Sequence, residues 1–237
     1  MDRKTVLWRL ASDFVVDVVR QAAVGLRERK KQRTRAMLIE AAIDLCDRQG
    51  FEHTTVEQIA AVADVSPRTF SRYFATKDAV VLAFIDEVSE IVAIALAAQP
   101  AGIPHIEALY RAHIEAFLKT KTAPPTQLTS DRLLASARII TSSPTLMQSA
   151  SEFRADAVNA ALAQRMGVRG GDRRLKLTAV VWGSIIMTAI ADLGSQANWR
   201  SVTVDDIVAR IEATYADFRA VAAGVQEAPE PALSPLR

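Results

Sequence analysis

Apolar residues recur along most of the chain at intervals of three and four, the period of a helix with one buried face, and no stretch reads confidently as a strand. Leu38, Ala42 and Leu45 give the first such face, on a helix predicted to end at about Arg48 with Gly50 as its stop. Val56, Ile59, Ala60 and Ala63 give the second, headed by Thr54 and Glu57 at the spacing of a capping box. Ala63-Asp64-Val65 is the turn that follows. Ser66 then stands where a helix cap belongs, and Pro67 at the first helical position, where a missing N–H costs nothing. This third helix is only about two turns long, from Pro67 to Phe74. Phe70 and Phe74 share its inner face, which leaves Arg68, Thr69, Ser71, Arg72 and Tyr73 on the other sides.

Thr76, Lys77 and Asp78 open a long helix running to about Ala98. Val80, Val81, Phe84, Ile85, Val88, Ile91, Val92 and Ala95 give it more apolar surface than one small domain needs, so it is predicted to span two. Pro100, Gly102 and Pro104 break the chain there. The pattern then predicts helices from about Pro104 to Lys119, from Leu128 to Ile140, and from Pro144, capped by Ser143, to Gly167. Asp172 caps another, which runs to Leu193 before Gly194. Thr203 with Asp206 opens the last, through about Ala222. The organisation expected is an amphipathic extension at 1–26, a small helical domain at 27–78, a larger helical domain at 79–223 and a disordered tail at 224–237. In the extension Leu7, Leu10, Phe14 and Val18 share a face. Docking on the body or on a partner subunit is the first reading of it. A membrane-surface helix and a later translation start near Val24 are the others.

A two-turn helix is unstable alone. Its neighbours must hold it, and it offers water a dense polar face. Helix–turn–helix units that read DNA have this build, with the second helix presenting its N-terminal residues to base edges in the major groove. An ordinary helical hairpin is the plain alternative, but such a hairpin has no use for two arginines on so short a helix. Charge supports the DNA reading. The 237-residue chain carries only +2 overall, yet residues 27–77 hold ten Lys/Arg against seven Asp/Glu, and six of the ten lie between Arg27 and Arg35. Basic side chains just ahead of a helix–turn–helix can contact phosphates and release counterions.

These residues resemble the TetR (tetracycline-repressor-type) family of bacterial transcription regulators. The run that carries the resemblance includes Ile39, Ala41-Ala42, Leu45, Gly50-Phe51, Thr54-Thr55-Val56, Ile59-Ala60, Val65-Ser66, Thr69-Phe70, Tyr73-Phe74 and Lys77. Cys46 stands where the family usually has an aromatic residue, and Phe70 where it often has tyrosine. The resemblance implies an all-α fold, with an N-terminal helix–turn–helix domain and a larger C-terminal domain for effector binding and dimerisation. It implies a homodimer on a palindromic double-stranded DNA operator, released by a small-molecule effector. Pro67, Arg68, Ser71 and Arg72 become base-facing candidates; Thr54, Thr55, Thr69, Tyr73 and Lys77 become phosphate-side candidates. Helices ending the large domain would make the dimer interface, with Trp182, Ile185, Ile186, Val204, Ile207, Val208, Ile211, Tyr215 and Phe218 there or in the adjoining core. A repressor is the first reading; an activator or an effector-independent regulator is the second.

The remaining chemistry is sparse. His53, His105 and His113 have no metal spacing, a single cysteine excludes a cysteine-rich zinc site, and no phosphate-binding glycine loop or nucleophile elbow occurs. No enzyme, cofactor or metal is expected. The rival class is an all-α ligand-binding protein or enzyme with a vestigial DNA module. One cysteine and no signal peptide fit a reducing cytoplasm. Cys46, among apolar helical positions, reads as packing. The run Leu177–Ala191 is uncharged but short for a membrane span, so it is expected to pack in a bundle or against its own copy. For an effector the expected lining is Phe84, Ile91, Leu109, Tyr110, His113, Phe117, Leu133, Leu134, Phe153, Trp182 and Met187, with Arg111, Arg132 and Arg138 as possible anion anchors. Residues 131–142 resemble a subgroup in which some regulators answer to acyl-coenzyme A or other lipid-like effectors, which implies an apolar, acyl-bearing ligand.

Overall fold

The computed structural model describes residues 27–124, 127–152, 155–191, 193, 199 and 201–227. Among them every regular element is helical. The extension at 1–26, Phe153 of the predicted lining and the tail beyond residue 227 lie outside the described residues.

Helix α1 (27–49) buries Leu38, Ala42 and Cys46 and stops at Gly50, whose φ of 85° suits a residue without a Cβ. Helices α2 (Val56–Val62) and α3 (Pro67–Tyr73) pack on each other and on α1. The long helix α4 (Lys77–Ala98) starts under Thr76, whose hydroxyl accepts from the Ala79 N–H. It runs on beyond α1–α3 to pack along α5 (His105–Lys119) and α8 (Asp156–Met166). A short 3-10 turn, Thr120–Thr122, leads toward α6 (Ser130–Ser142), and α7 (Pro144–Glu152) precedes α8. Helices α9 (Arg173–Ala191) and α10 (Val204–Glu227) pair on the far side and close the bundle over α5. Asp172 caps α9 by accepting from the Arg174 and Leu175 N–H groups, and Thr203 and Asp206 cap α10 reciprocally, both as expected.

Three boundaries differ from the sequence expectation. Helix α6 lies two residues later than predicted, because Thr129 is its cap. The single helix expected over 144–167 is two. Ala155 has a ψ of 78°, outside the helical range, and α7 and α8 take different neighbours: α7 packs with α6, while α8 lies along α4. Tertiary packing overrides local propensity there, since no glycine or proline marks the break. At the other end, α10 runs through Gly224 to Glu227, so residues 224–227 are helical where a disordered tail was expected. One glycine in an exposed helix costs only about 1 kcal/mol, and Ala222, Ala223, Gln226 and Glu227 around it are good helix formers.

Candidate nucleic-acid interface

The helix–turn–helix begins with a capping box one residue later than expected. Thr55, not Thr54, caps α2: its hydroxyl accepts from the Gln58 N–H at 3.2 Å, and the Gln58 side chain accepts from the Thr55 N–H at 2.9 Å. Thr54 is 1% exposed, and its hydroxyl donates instead to the Gly50 carbonyl at 2.9 Å. Gln49 explains the choice. From the end of α1 its amide donates to the His53 carbonyl and to Gln58 Oε1, which holds Gln58 in the box.

The turn closes as a Schellman motif. The Val65 N–H donates to Ala60 O at 2.9 Å and the Asp64 N–H to Ala61 O at 3.1 Å, which requires Asp64 to adopt a φ of 53°. Aspartate tolerates this left-handed conformation better than most residues. Asp64→Val is therefore expected to destabilise the protein by about 1–2 kcal/mol and Asp64→Gly to leave it unchanged or more stable. Denaturant unfolding of the two variants measures the difference.

Helix α3 starts at Ser66, whose Oγ accepts from the Thr69 N–H at 3.1 Å, with Pro67 following. Phe70 is 1% exposed, and its ring lies 5.8 Å from that of Phe74, so the two inward aromatics hold the helix as the pattern predicts. Pro67, Arg68, Ser71 and Arg72 all face solvent on one short helix. Thr69 and Tyr73 are half-buried at its flanks, and the Arg72 guanidinium lies 5.3 Å from the Tyr73 ring centre. The basic residues from Arg27 to Arg33 are exposed along the start of α1.

Lys77 takes an unexpected position. Its ammonium donates to the Phe51 carbonyl at 2.7 Å and sits 4.0 Å from the centre of the Phe51 ring. The cation braces the α1–α2 corner from the first residue of α4. Cys46 is buried, and burial pushes its thiol up, away from reactivity.

The described residues predicted to line an effector pocket are part of the packed core or lie against it. Leu109 is 0%, Leu133 and Trp182 4%, Phe117 5% and His113 9% exposed, and Phe84 is also buried; Ile91, Tyr110, Leu134 and Met187 are half-buried around them. The His113 ring lies 5.1 Å from that of Trp182 and 6.2 Å from that of Phe117. His113 Nδ1 is 2.8 Å from the Leu109 carbonyl, and Trp182 Nε1 is 3.1 Å from His113 Nδ1 and 3.3 Å from Nε2. Burial pushes the His113 pKa down to about 4. Because a carbonyl can only accept, Nδ1 of the neutral ring carries the proton toward Leu109, which leaves the Nε2 lone pair to the indole N–H. Tyr215 joins this group: it stacks on Tyr110 at 4.6 Å, and its hydroxyl donates to Glu107 at 2.7 Å. Sequence reasoning placed Tyr215 at the dimer face or adjoining core and did not single out Glu107; only the crossing of α5 and α10 brings them together.

The three candidate anion anchors are each engaged. Arg111 pairs with Glu107, Arg132 bidentately with Glu87, and Arg138 with Asp47. His105 and His113 do not converge on one described contact. Two open clefts lie elsewhere. One of about 480 Å³ is bordered by Val202, Asp206 and Arg210, and one of about 450 Å³ by Arg35, Phe74, Leu82 and Asp86.

Residues 38–84 match the family model described as bacterial regulatory proteins, tetR family. Over these residues the chain is similar to the TetR family. Over 85 residues it is 49% identical to the HTH-type transcriptional regulator TcmR of Streptomyces glaucescens. That match covers 36% of this chain and 38% of the relative, so the chain spans little more than a third of the curated protein it matches. Among solved structures, Thermus thermophilus FadR, a TetR-family transcriptional repressor in complex with lauroyl-CoA, is 22% identical and aligns over 86% of this chain and 100% of its own, with a TM-score of 0.44. SmeT, the repressor of the Stenotrophomonas maltophilia multidrug efflux pump SmeDEF, is 18% identical over 86% of this chain and 97% of its own, with a TM-score of 0.45. The helix–turn–helix α2–α3 lies within the segment that matches this family model.

Proposed function

We propose that the chain is a cytoplasmic, homodimeric repressor that grips a palindromic operator through α3 and releases it on binding a small apolar ligand. The observation that carries the DNA reading is the split of α3 into two faces. Phe70 and Phe74 hold it from behind while Pro67, Arg68, Ser71 and Arg72 stand exposed at its front. Arg68, in the first turn, is the residue for a guanine edge, which presents two acceptors to a guanidinium. On the phosphate side we keep Thr69, Tyr73 and the first turn of α2 at Thr54 and Thr55, acting there through backbone rather than through hydroxyls already engaged. For Lys77 we propose support of the corner in place of a phosphate contact.

Dimerisation rests on the outer face of α9 and α10. Leu177 is 63%, Val180 66% and Val221 68% exposed, and Ala209, Ala213, Ala216 and Ala220 form a small-residue stripe beside them. Helix α9 is long and apolar enough to cross a membrane by length and composition, yet only 22% of its most apolar window is buried. A second copy packed on these helices would cover that surface, since small residues allow close approach and apolar ones gain by leaving water.

An effector would enter around His113 and Trp182, where the lining is apolar and aromatic and the polar groups already satisfy each other. A regulator without an effector is the second reading, and the tight packing of Leu109, Phe117 and Trp182 favours it.

The experiment is a binding titration of Arg68→Ala on selected and random DNA. The expected result is a loss of about 1–3 kcal/mol on the selected site, relaxed preference at one base per half-site, and little change on random DNA. An equal loss on both would make Arg68 a phosphate contact.

A further inference from the structure

Helix α1 is tied to the rest of the protein near both ends. Toward its start, Arg35 lies 3.3 Å from Asp86 of α4, with its guanidinium 5.4 Å from the Phe74 ring centre. Close to its end, Asp47 accepts a hydrogen bond from Arg138 of α6. Just beyond it, Glu52 in the α1–α2 corner accepts from the Ser143 hydroxyl at 2.9 Å. That hydroxyl also accepts from the Leu146 N–H at 3.4 Å, so one atom serves both the start of α7 and the corner. The same corner is held from the other side by Lys77 on Phe51.

Only α4 continues directly from the helix–turn–helix in the chain. A single attachment leaves a rigid unit free to pivot. Arg35 and Asp47 are separated by about 18 Å along α1 at 1.5 Å per residue, and two ties that far apart on one stiff helix set a direction. Exposed ion pairs add little to stability; what they can do is select one orientation among several of similar energy. The Arg35–Asp86 pair borders the open cleft of about 450 Å³, so it can separate without repacking a core.

We infer that Arg138 on Asp47 and Ser143 on Glu52 form a latch from the α6–α7 region to the helix–turn–helix, which sets the aim of α3 independently of α4. The inference rests on the DNA-binding reading above and adds a regulated contact to it. With the latch closed, two recognition helices meet two half-sites together. With it open, each helix still reads a half-site but the pair no longer fits both.

The test uses the full chain and the palindrome that the unmodified protein selects from random DNA. Arg138→Asp is expected to weaken binding to the palindrome by about tenfold while affinity for an isolated half-site stays within about twofold of the parent. Adding Asp47→Arg restores the pair in reverse and should recover palindrome binding. Glu52→Ala should shift palindrome affinity in the same direction as Arg138→Asp. A second measurement reads orientation with no DNA present. Spin labels at Arg72→Cys on α3 and Gln164→Cys on α8, with the native cysteine buried, should give a narrow distance distribution in the parent. Arg138→Asp should broaden it and the swap should narrow it again. Equal loss on half-site and palindrome, failure of the swap to restore binding, or an unchanged distance distribution in Arg138→Asp would overturn the latch. Failure of the unmodified protein to select any DNA would instead overturn the DNA-binding reading, and the distance measurement would still decide the latch.

Discussion

Phe70→Ala is expected to destabilise the protein by about 3–5 kcal/mol and to abolish DNA binding. Phe70 is the buried side chain of the two-turn α3, 1% exposed, with Phe74 as its aromatic neighbour. So short a helix has no stability of its own. Removing the ring leaves a cavity under it and deletes half of the aromatic pair that orients Arg68, Ser71 and Arg72. A loss of that size is a large share of the roughly 5–15 kcal/mol that holds a typical domain together. Phe70→Tyr is the informative partner, because tyrosine is common at this position in the family. Because Phe70 is buried, the added hydroxyl needs an acceptor, and the cost measured by denaturant unfolding shows whether one is in reach. Far-UV circular dichroism and DNA titration of Phe70→Ala should show most helix retained and binding gone. Retained operator binding would mean that α3 is anchored by contacts other than Phe70.

Acid should weaken the helical core through His113. Burial lowers its pKa to about 4 in the folded protein, against 6.5 when exposed. Between those values the unfolded chain takes up a proton that the folded chain refuses. Stability from this group is therefore complete above about pH 6.5, falls as pH drops through the window, and levels off below about 4. The steepest loss is about 1.4 kcal/mol per pH unit, which makes this the second large effect. His113→Gln removes the titration while keeping a side chain that can both donate and accept, toward the Leu109 carbonyl and the Trp182 N–H. Its unfolding free energy should be flatter between pH 6.5 and 4 than that of the parent. Parallel curves for the two proteins would show that His113 is not the group responsible.

Much of this was legible from the pattern of side chains because local chemistry decides it. Ser66 and Pro67 start α3, Thr76 starts α4, Asp172 starts α9, and Phe70 with Phe74 turn α3 inward, each by rules that act within one turn of helix. The capping box shows the limit. Thr54–Glu57 and Thr55–Gln58 both satisfy the spacing, and the choice was made by Gln49, whose reach to Gln58 depends on how α1 meets α2. Lys77 shows it again: a lysine at that position reads as available for DNA, and only the fold brings the Phe51 carbonyl beneath it. The arginines proposed as ligand anchors are paired with Glu107, Glu87 and Asp47, and the last two pairs span distances in sequence that no periodicity reports. The described residues of the predicted lining are buried or half-buried, and whether such side chains enclose a space depends on how closely they pack, which composition does not contain.

The central claim is that two copies of α3 read a symmetric site. Sequencing the DNA that the full-length protein retains from a random-sequence pool tests it most directly. The prediction is an inverted repeat whose half-site centres are about one helical turn, 10–10.5 base pairs, or a multiple of that apart, with a guanine in each half-site whose enrichment disappears in Arg68→Ala. Recovery of unrelated sequences, or of a site without two-fold symmetry, would contradict the account.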